Sequence, residues 1–257
     1  IIEMPRGRLT LGGIVKLIRL LKNNNTDVIQ TWQYHADLIG GLCAKLAGKK
    51  NIIWNIRSAE LSKKNMKFTT VLVVKICAIL SQWIPDKIVT CSKRSIDLRK
   101  RMGYKDKFYY IPNGYDKSTF YNSLKQRTET RKLWNLSNKD LILIGMVARY
   151  NHQKNHSGLL TAFSLVQKQF NNVRLVLIGK GMNKDNYSIV NMMDKLSIND
   201  SVKLLSESNN IAGVMNGLDI HVLSSSYGEG FPNVVLESMA CGTPSIVTDV
   251  GDAAYLV

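Results

Sequence analysis

The segment that decides the fold reads EGFPNVVLESMACGTP over residues 229–244. Pro232 suits the first position of a helix, where its missing N–H group needs no partner. Gly242 and Pro244 end that helix, Gly242 as a left-handed cap and Pro244 as a breaker. Most residues between them are apolar, which predicts a short and mostly buried helix behind a glycine-rich loop.

Two glutamates interrupt this apolar segment, Glu229 in the loop and Glu237 in the helix. An ionised carboxylate is costly to bury without partners, so we expect hydrogen-bond donors such as sugar hydroxyls at both. Residues 227–230 let the backbone approach a ligand closely, and the helix N-terminus behind them suits a phosphate. A glutamate held by backbone amides and a plain connecting turn would explain the same residues without a ligand.

The frame of residues 229–244, with seven residues between its glutamates, resembles the donor-sugar motif of retaining GT-B glycosyltransferases in family 4 (group 1). The resemblance extends over about residues 9–257. It implies an α/β fold of two Rossmann-like parallel-sheet domains facing a cleft, as in bacterial capsule and polysaccharide biosynthesis. The family pattern is longer at both ends, so we expect this chain to be truncated there.

Apolar runs of strand length alternate with helical patterns along the whole chain, which predicts βα units and parallel sheets. We predict an N-terminal acceptor-side domain over residues 1–115 and a linker over 116–137. A C-terminal domain for the nucleotide-sugar donor then covers 138–257, and both domains are expected to be incomplete.

Residues 68–84 form the most apolar stretch of the chain. They barely reach the length of about 20 residues that a membrane span needs, and we interpret them as a helix packed on a sheet. The alternative is a membrane-surface helix whose basic leading edge consists of Lys63, Lys64 and Lys67.

Positive charge is concentrated in the first half of the chain. Residues 1–125 hold 23 Lys and Arg against 8 Asp and Glu, whereas residues 126–257 hold 12 against 11. This imbalance predicts an anionic partner such as a phospholipid surface, a lipid pyrophosphate acceptor or nucleic acid. Nucleic acid is disfavoured because stacking aromatics are not interleaved with the basic residues.

The four cysteines include no CxxC pair, which argues against a zinc site or disulfide framework and favours a reducing, cytoplasmic compartment.

Arg149 and Lys154 are the cations predicted to bind the donor diphosphate. The planar guanidinium of Arg149 matches phosphate oxygens, and Lys154 is a mobile point charge, although both would also fit ordinary solvated loop positions. Residues 145–155 resemble the diphosphate-binding loop of the family, with Arg and Lys at the expected spacing. The resemblance also places Gly179 and Gly181 beside the nucleotide.

The other site residues follow from the same resemblance. His35 lies in a segment, residues 28–41, that resembles the active-site segment of the family, and it is implied to orient the donor sugar. A lone histidine is more often structural. Glu229 is implied to bind the hydroxyls of the sugar, and Glu237 those of the ribose. The residues implied to contact the diphosphate at the helix N-terminus are Gly230, Phe231, Asn233 and Val234.

The interpretation as a whole is a retaining glycosyltransferase of the hexosyltransferase type. It would take a nucleotide-diphosphate sugar, and its acceptor would be a saccharide or lipid-linked saccharide. No Asp-x-Asp motif occurs, so we expect neither a metal nor a cofactor. The expected location is the cytoplasm, at the inner face of an anionic membrane. A GT-B sugar-nucleotide epimerase and a non-catalytic sugar-nucleotide binder remain as alternatives.

Residues 112–116 match a further family motif, Pro-Asn-Gly-x-Asp, which is implied to shape the edge of the cleft.

Overall fold

The structure, a computed structural model, describes residues 10–57 and 68–257. These residues form two compact units, the first ending at Pro112 and the second running from Asn113 to Val257. Each unit contains a parallel β-sheet with helices between its strands. The predicted α/β class with two parallel-sheet domains is therefore confirmed.

The first unit contains a four-stranded parallel sheet in the order β1-β2-β3-β4. The strands are Ile29–Trp32, Ile52–Ile56, Lys87–Thr90 and Phe108–Tyr110, and helices α1 to α4 are Leu11–Asn23, Tyr34–Leu46, Phe68–Leu80 and Lys93–Arg101. Its core joins Trp54 of β2 to Val74 and Cys77 of α3. Ser92 begins α4 by accepting a hydrogen bond from the N–H of Ser95, as a good N-cap does.

Helix α3 packs on the sheet through one face and leaves the other in solvent. Val74, Cys77 and Ala78 are buried, whereas the exposed outer residues of α3 and its following turn are Phe68, Leu72, Ile79 and Trp83. Across residues 10–57 and 68–257, no helix is both long enough and apolar enough to cross a bilayer. The basic leading edge of the alternative membrane-surface helix lies outside the described residues; it consists of Lys63, Lys64 and Lys67.

The second unit contains a five-stranded parallel sheet in the order β7-β6-β5-β8-β9. Strands β5 to β9 are Ile142–Val147, Val173–Ile178, Val202–Leu205, Ile220–Leu223 and Ser245–Val247. Helices α5 to α10 are Leu124–Leu133, His156–Gln169, Tyr187–Leu196, Ile211–Gly217, Asn233–Ala240 and Ala253–Leu256. The strand order reverses between β5 and β8, and in open α/β sheets ligands bind beside the carboxyl ends of the strands at such a point.

The segment predicted as a linker, residues 116–137, contributes helix α5 to the second unit. Arg127 and Arg131 of α5 form ion pairs with Asp219, and Asp219 also accepts a hydrogen bond of 2.7 Å from the N–H of Leu143. These polar contacts attach the helix to the rest of the second unit. Because it does not depend on an apolar stripe, the hydrophobic pattern of its sequence is weak. The boundary between the units falls at Pro112, slightly before the predicted boundary at residue 115.

Helix α9 differs from its sequence prediction in two respects. Pro232 is the N-cap rather than the first helical residue, because its ψ of 108° is extended. The helix is also less buried than predicted: Val235 is fully buried, but Met239 is 45% exposed. Its apolar residues are spread around the helix, and among them only Val235 is buried. Gly242 does adopt the predicted left-handed conformation, with φ of 77°.

Candidate functional site

The loops that follow β5, β6 and β8 are joined by backbone hydrogen bonds at the carboxyl edge of the second sheet. In the β5 loop, the N–H of Tyr150 donates to the carbonyl of Lys180 after β6, at 2.8 Å. The same loop accepts at the carbonyl of Gln153 from the N–H of Ser226 after β8, also at 2.8 Å. These bonds bring the loops after three strands together at one edge of the sheet.

Two glycines allow these loops to approach one another. A Cβ on Gly179 would lie 2.3 Å from the carbonyl oxygen of the residue after β5, and one on Gly251 would lie 2.1 Å from that of Glu229. Both glycines have positive φ, 143° and 60°, which glycine adopts without strain. Beside Gly251, the N–H of Asp252 donates to the carbonyl of Gly230 at 3.0 Å, so the loop after β9 joins the same cluster.

Lys154 and Glu229 form an ion pair at the centre of this cluster. Lys154 Nζ lies 2.5 Å from Glu229 Oε1, and the two side chains are 17% and 8% exposed. Ser225 Oγ donates to the same carboxylate oxygen, and Ser224 Oγ donates to the backbone carbonyl of Lys154 at 2.9 Å. The ion pair thus holds two charged groups side by side. The ammonium of Lys154 can bind a phosphate, and the carboxylate of Glu229 can accept hydrogen bonds from hydroxyl groups.

A cavity of about 430 Å³ opens at the ends of β5 and β6. Its lining includes Arg149 and Gly179, together with residues 207–209, which follow β7. The side chain of Arg149 is exposed and forms no ion pair with any residue in the described ranges. Gly181 lies against Tyr150 rather than in the cavity wall.

The sequence analysis missed residues 207–209 as part of the site. They follow the carboxyl end of β7, so the rule that ligands bind at strand ends applies to them as well. Their composition, Glu-Ser-Asn, carries no motif, and for that reason no residue type drew attention to them.

The four residues predicted to contact the diphosphate flank the N-terminus of α9: Gly230 and Phe231 precede the N-cap, and Asn233 and Val234 are the first helical residues. The first N–H groups of a helix have no partner within it, and here they follow the buried Phe231 and the N-cap Pro232. Asn233 is exposed, and its Oδ1 accepts a hydrogen bond of 2.6 Å from Asn113 Nδ2. Asn113 belongs to the Pro-Asn-Gly-x-Asp motif, for which the sequence predicted no particular contact.

Glu237 lies on α9 and is half-buried. Burial raises the pKa of its carboxyl above the usual value. Within the described residues its carboxylate has no hydrogen-bond partner, so no backbone amide holds it. The expectation that an external donor satisfies this carboxylate therefore still applies to Glu237, whereas Glu229 already has two partners.

His35 belongs to the first unit, where it is the second residue of α2. Its side chain is exposed, and it follows the carboxyl end of β1, which fits a ligand-facing position in a parallel sheet. Two residues further on, Asp37 is buried and accepts a hydrogen bond of 2.6 Å from Thr31 Oγ1. Burial raises the pKa of Asp37 to about 7. The role of His35 toward the donor sugar stays a prediction.

Two buried histidines of the second unit remain neutral near the ion pair. The pKa of His156 and that of His221 are each lowered to about 4, first by burial and then by the charge of Lys154. His221 Nδ1 lies 3.0 Å from Ser245 Oγ. The positively charged partner of Glu229 is therefore Lys154 and not a histidine.

Among residues 10–57 and 68–257, no group of three or more His, Cys, Asp and Glu side chains is arranged to hold a metal ion.

Residues 127–257, just over half of the chain, match the family model described as glycosyl transferases group 1. The chain belongs to this family. Residues 2–119 match a second model, described as Glycosyltransferase Family 4. The resemblance to the group 1 and family 4 glycosyltransferases, inferred from the donor-sugar frame, is therefore confirmed.

Bacterial glycosyltransferases are among the curated relatives of this chain. The UDP-Gal:alpha-D-GlcNAc-diphosphoundecaprenol alpha-1,3-galactosyltransferase of Escherichia coli is 25% identical over 252 residues, which cover 95% of this chain and 63% of that protein. The capsular polysaccharide biosynthesis glycosyltransferase CapH of Staphylococcus aureus is 24% identical over 87% of this chain and 59% of its own length. The chain thus spans less than two thirds of these relatives.

Solved glycosyltransferase structures have the same fold. Anabaena HepE, crystallised in complex with UDP and glucose, superposes with a TM-score of 0.81 at 18% identity, covering 96% of this chain and 65% of HepE. A glycosyltransferase of Rickettsia africae superposes with a TM-score of 0.78 at 17% identity, covering 99% of this chain and 67% of that one. The predicted GT-B fold is confirmed.

Proposed function

We propose that this chain carries the donor site of a retaining glycosyltransferase that moves a hexosyl group from a UDP-sugar to a lipid-linked saccharide in cell-surface polysaccharide biosynthesis. The observation that carries the proposal is that the buried pair of Lys154 and Glu229 belongs to the same cluster of strand-end loops as the cavity lined by Arg149. The E. coli relative is named for a UDP-Gal donor and a diphosphoundecaprenol acceptor, and HepE was crystallised with UDP and glucose.

In this proposal the nucleoside occupies the cavity and the diphosphate lies between Arg149, Lys154 and the N-terminus of α9. A guanidinium, an ammonium and a helix N-terminus each favour phosphate oxygens. Gly179 lets the backbone approach the nucleotide. The carboxylate of Glu237 accepts hydrogen bonds from the ribose hydroxyls, which would supply the donors that the described residues do not.

In the proposed reaction, the bond between the anomeric carbon and the diphosphate oxygen breaks while the acceptor hydroxyl bonds to the same face of that carbon. The acceptor proton passes to an oxygen of the leaving diphosphate, so configuration is retained. Negative charge builds on the leaving group, and fixed cations at Arg149 and Lys154 stabilise it. Glu229 holds the sugar hydroxyls and His35 orients the sugar. These side chains supply the positive charge, so the proposal assigns no role to a metal or cofactor.

We further propose that the first unit contacts an anionic membrane that carries the acceptor. Its basic composition and the exposed apolar stripe of α3 combine the two features of a membrane-surface helix. Sedimentation at low salt with phosphatidylcholine vesicles, with and without phosphatidylglycerol, tests this. We expect binding only with phosphatidylglycerol. The binding should be reduced in Leu72→Asp but not in Leu133→Asp, the same change at an exposed leucine of α5. Equal sedimentation of both variants would contradict the proposed surface.

Calorimetric titration with UDP and GDP, and with their sugars, tests the donor site. We expect one nucleotide to bind, and Arg149→Ala and Glu237→Ala each to weaken it by about tenfold or more, since each removes a hydrogen bond involving a charged group. Matched controls are Arg174→Ala, at the amino end of β6, and Glu129→Ala on α5. Equal losses in the variants and their controls would contradict the assignment.

A further inference from the structure

We infer that Asn113 is a positioning residue for the donor diphosphate and that it acts through Asn233. The inference rests on the proposed function, because it names a residue that prepares the proposed diphosphate site. Asn113 is the first residue of the second unit, and 120 positions separate it from Asn233. No local sequence signal joins the two.

Two hydrogen bonds tie Asn113 to the start of α9. Its Nδ2 donates to Asn233 Oδ1 at 2.6 Å and to the backbone carbonyl of Phe231 at 3.2 Å. An amide NH₂ group carries two hydrogens, which matches these two acceptors. Asn113 therefore fixes both the backbone just before the N-cap Pro232 and the side chain just after it.

The contact also decides which way the amide of Asn233 points. Because Asn113 Nδ2 can only donate, the oxygen of Asn233 must face it, and the NH₂ group of Asn233 is directed elsewhere. That NH₂ group has no acceptor within the described residues, and the side chain is exposed at the first position of α9. It is thus available, next to the free N–H groups of the helix, as a donor to an anionic oxygen. In the opposite orientation a carbonyl oxygen would meet that anion and repel it.

The segment that carries Asn113 is itself held in shape. The carboxylate of Asp116 accepts hydrogen bonds from the N–H and Oγ of Ser118, at 2.8 and 2.7 Å, and from Oγ1 of Thr119 at 3.0 Å. These bonds close a turn directly after the Pro-Asn-Gly residues. Within the motif, Asp116 therefore forms a turn, and the side-chain amide of Asn113 contacts the start of α9.

The test compares a ligand that has the diphosphate with one that lacks it. UDP and uridine are titrated against the whole chain, by calorimetry and by ligand-observed NMR. We expect Asn113→Ala to weaken UDP by about tenfold, the loss of a hydrogen bond to a charged group, and to change the affinity for uridine less than about twofold. Asn113→Asp should weaken UDP further, because its carboxylate cannot donate to Asn233 and repels the diphosphate.

Coupling between the two asparagines separates positioning from a general loss of structure. If Asn113 acts through Asn233, the double variant Asn113→Ala/Asn233→Ala loses no more UDP affinity than Asn233→Ala alone. Asn172→Ala is the matched control, because Asn172 Nδ2 also donates to a backbone carbonyl, that of Asp140, at 2.8 Å. It should leave UDP binding unchanged.

Four results would overturn the inference. Parallel losses of UDP and uridine in Asn113→Ala, or no loss of either, would show that Asn113 does not act on the diphosphate. Additive losses in the double variant would show that it does not act through Asn233. In these cases the proposed donor site would still stand, provided that the unaltered chain binds UDP. Failure of the unaltered chain to bind UDP would overturn both the donor site and the role of Asn113.

Discussion

Replacing Lys154 by Met should cost the second unit about 3 kcal/mol of unfolding free energy. Lys154→Met keeps most of the side-chain volume, so the change chiefly removes the charge. Glu229 would then stay buried with only the hydroxyl of Ser225 as a partner. Removal of one partner from a buried ion pair typically costs about 3–5 kcal/mol, and the remaining bond from Ser225 favours the lower end.

The companion change, Glu229→Gln, should cost only about 1–2 kcal/mol. Its amide oxygen can still accept from Ser225, and Lys154 is more exposed than Glu229 and can reach water. Combining the two changes removes both charges, so the double variant should be more stable than Lys154→Met alone. Urea unfolding followed by circular dichroism measures the loss, and hydrogen-exchange mass spectrometry assigns it to the second unit. A loss below about 1 kcal/mol in Lys154→Met, or a double variant less stable than it, would refute the ion-pair account.

Three further predictions concern carboxyl groups and pH. Burial raises the pKa of Glu237, so calorimetry should find that UDP affinity falls as pH drops through that raised pKa, and Glu237→Gln should abolish this dependence. Asp37 has a pKa raised from 3.8 to about 7, so its contribution to stability is present at low pH and lost as pH rises through about 7. Asp37→Asn, which stays neutral, should remove that loss in thermal unfolding followed between about pH 4 and pH 7. Burial alone would raise the pKa of Asp219, but hydrogen bonds from the Leu143 N–H and from two arginines outweigh it and lower the pKa. Its contribution is therefore present above the usual pKa and lost as pH falls below it; Asp219→Asn should lower the urea midpoint at pH 7 and remove this acid sensitivity.

Local signals predicted the parts of the fold that depend on short stretches of sequence. The alternation of apolar runs with helical patterns predicted the parallel sheets, and residue type together with the family resemblance singled out Arg149, Lys154 and Glu229. The frame of residues 229–244 carried the family resemblance. These signals succeed because strand burial and loop position at a parallel sheet are set by neighbours in the chain.

Long-range polar contacts account for most of what the sequence did not predict. Helix α5 is held by ion pairs from Arg127 and Arg131 to Asp219, about 90 positions away along the chain. The direct pairing of Lys154 with Glu229 joins residues 75 positions apart, and neither partner signals the other. The burial of α9 was overestimated because an apolar helix need not face the core on every side.

The most direct test of the central claim is hydrogen exchange of the whole chain with and without saturating UDP. The account predicts slower exchange in residues 149–154, 207–209 and 229–237, which line the cavity or hold the ion pair and the N-terminus of α9. Exchange in α4 of the first unit, and at the amino end of β6, should not change. Slower exchange confined to other residues, or none at UDP concentrations that saturate binding, would contradict a donor site at the carboxyl edge of the second sheet.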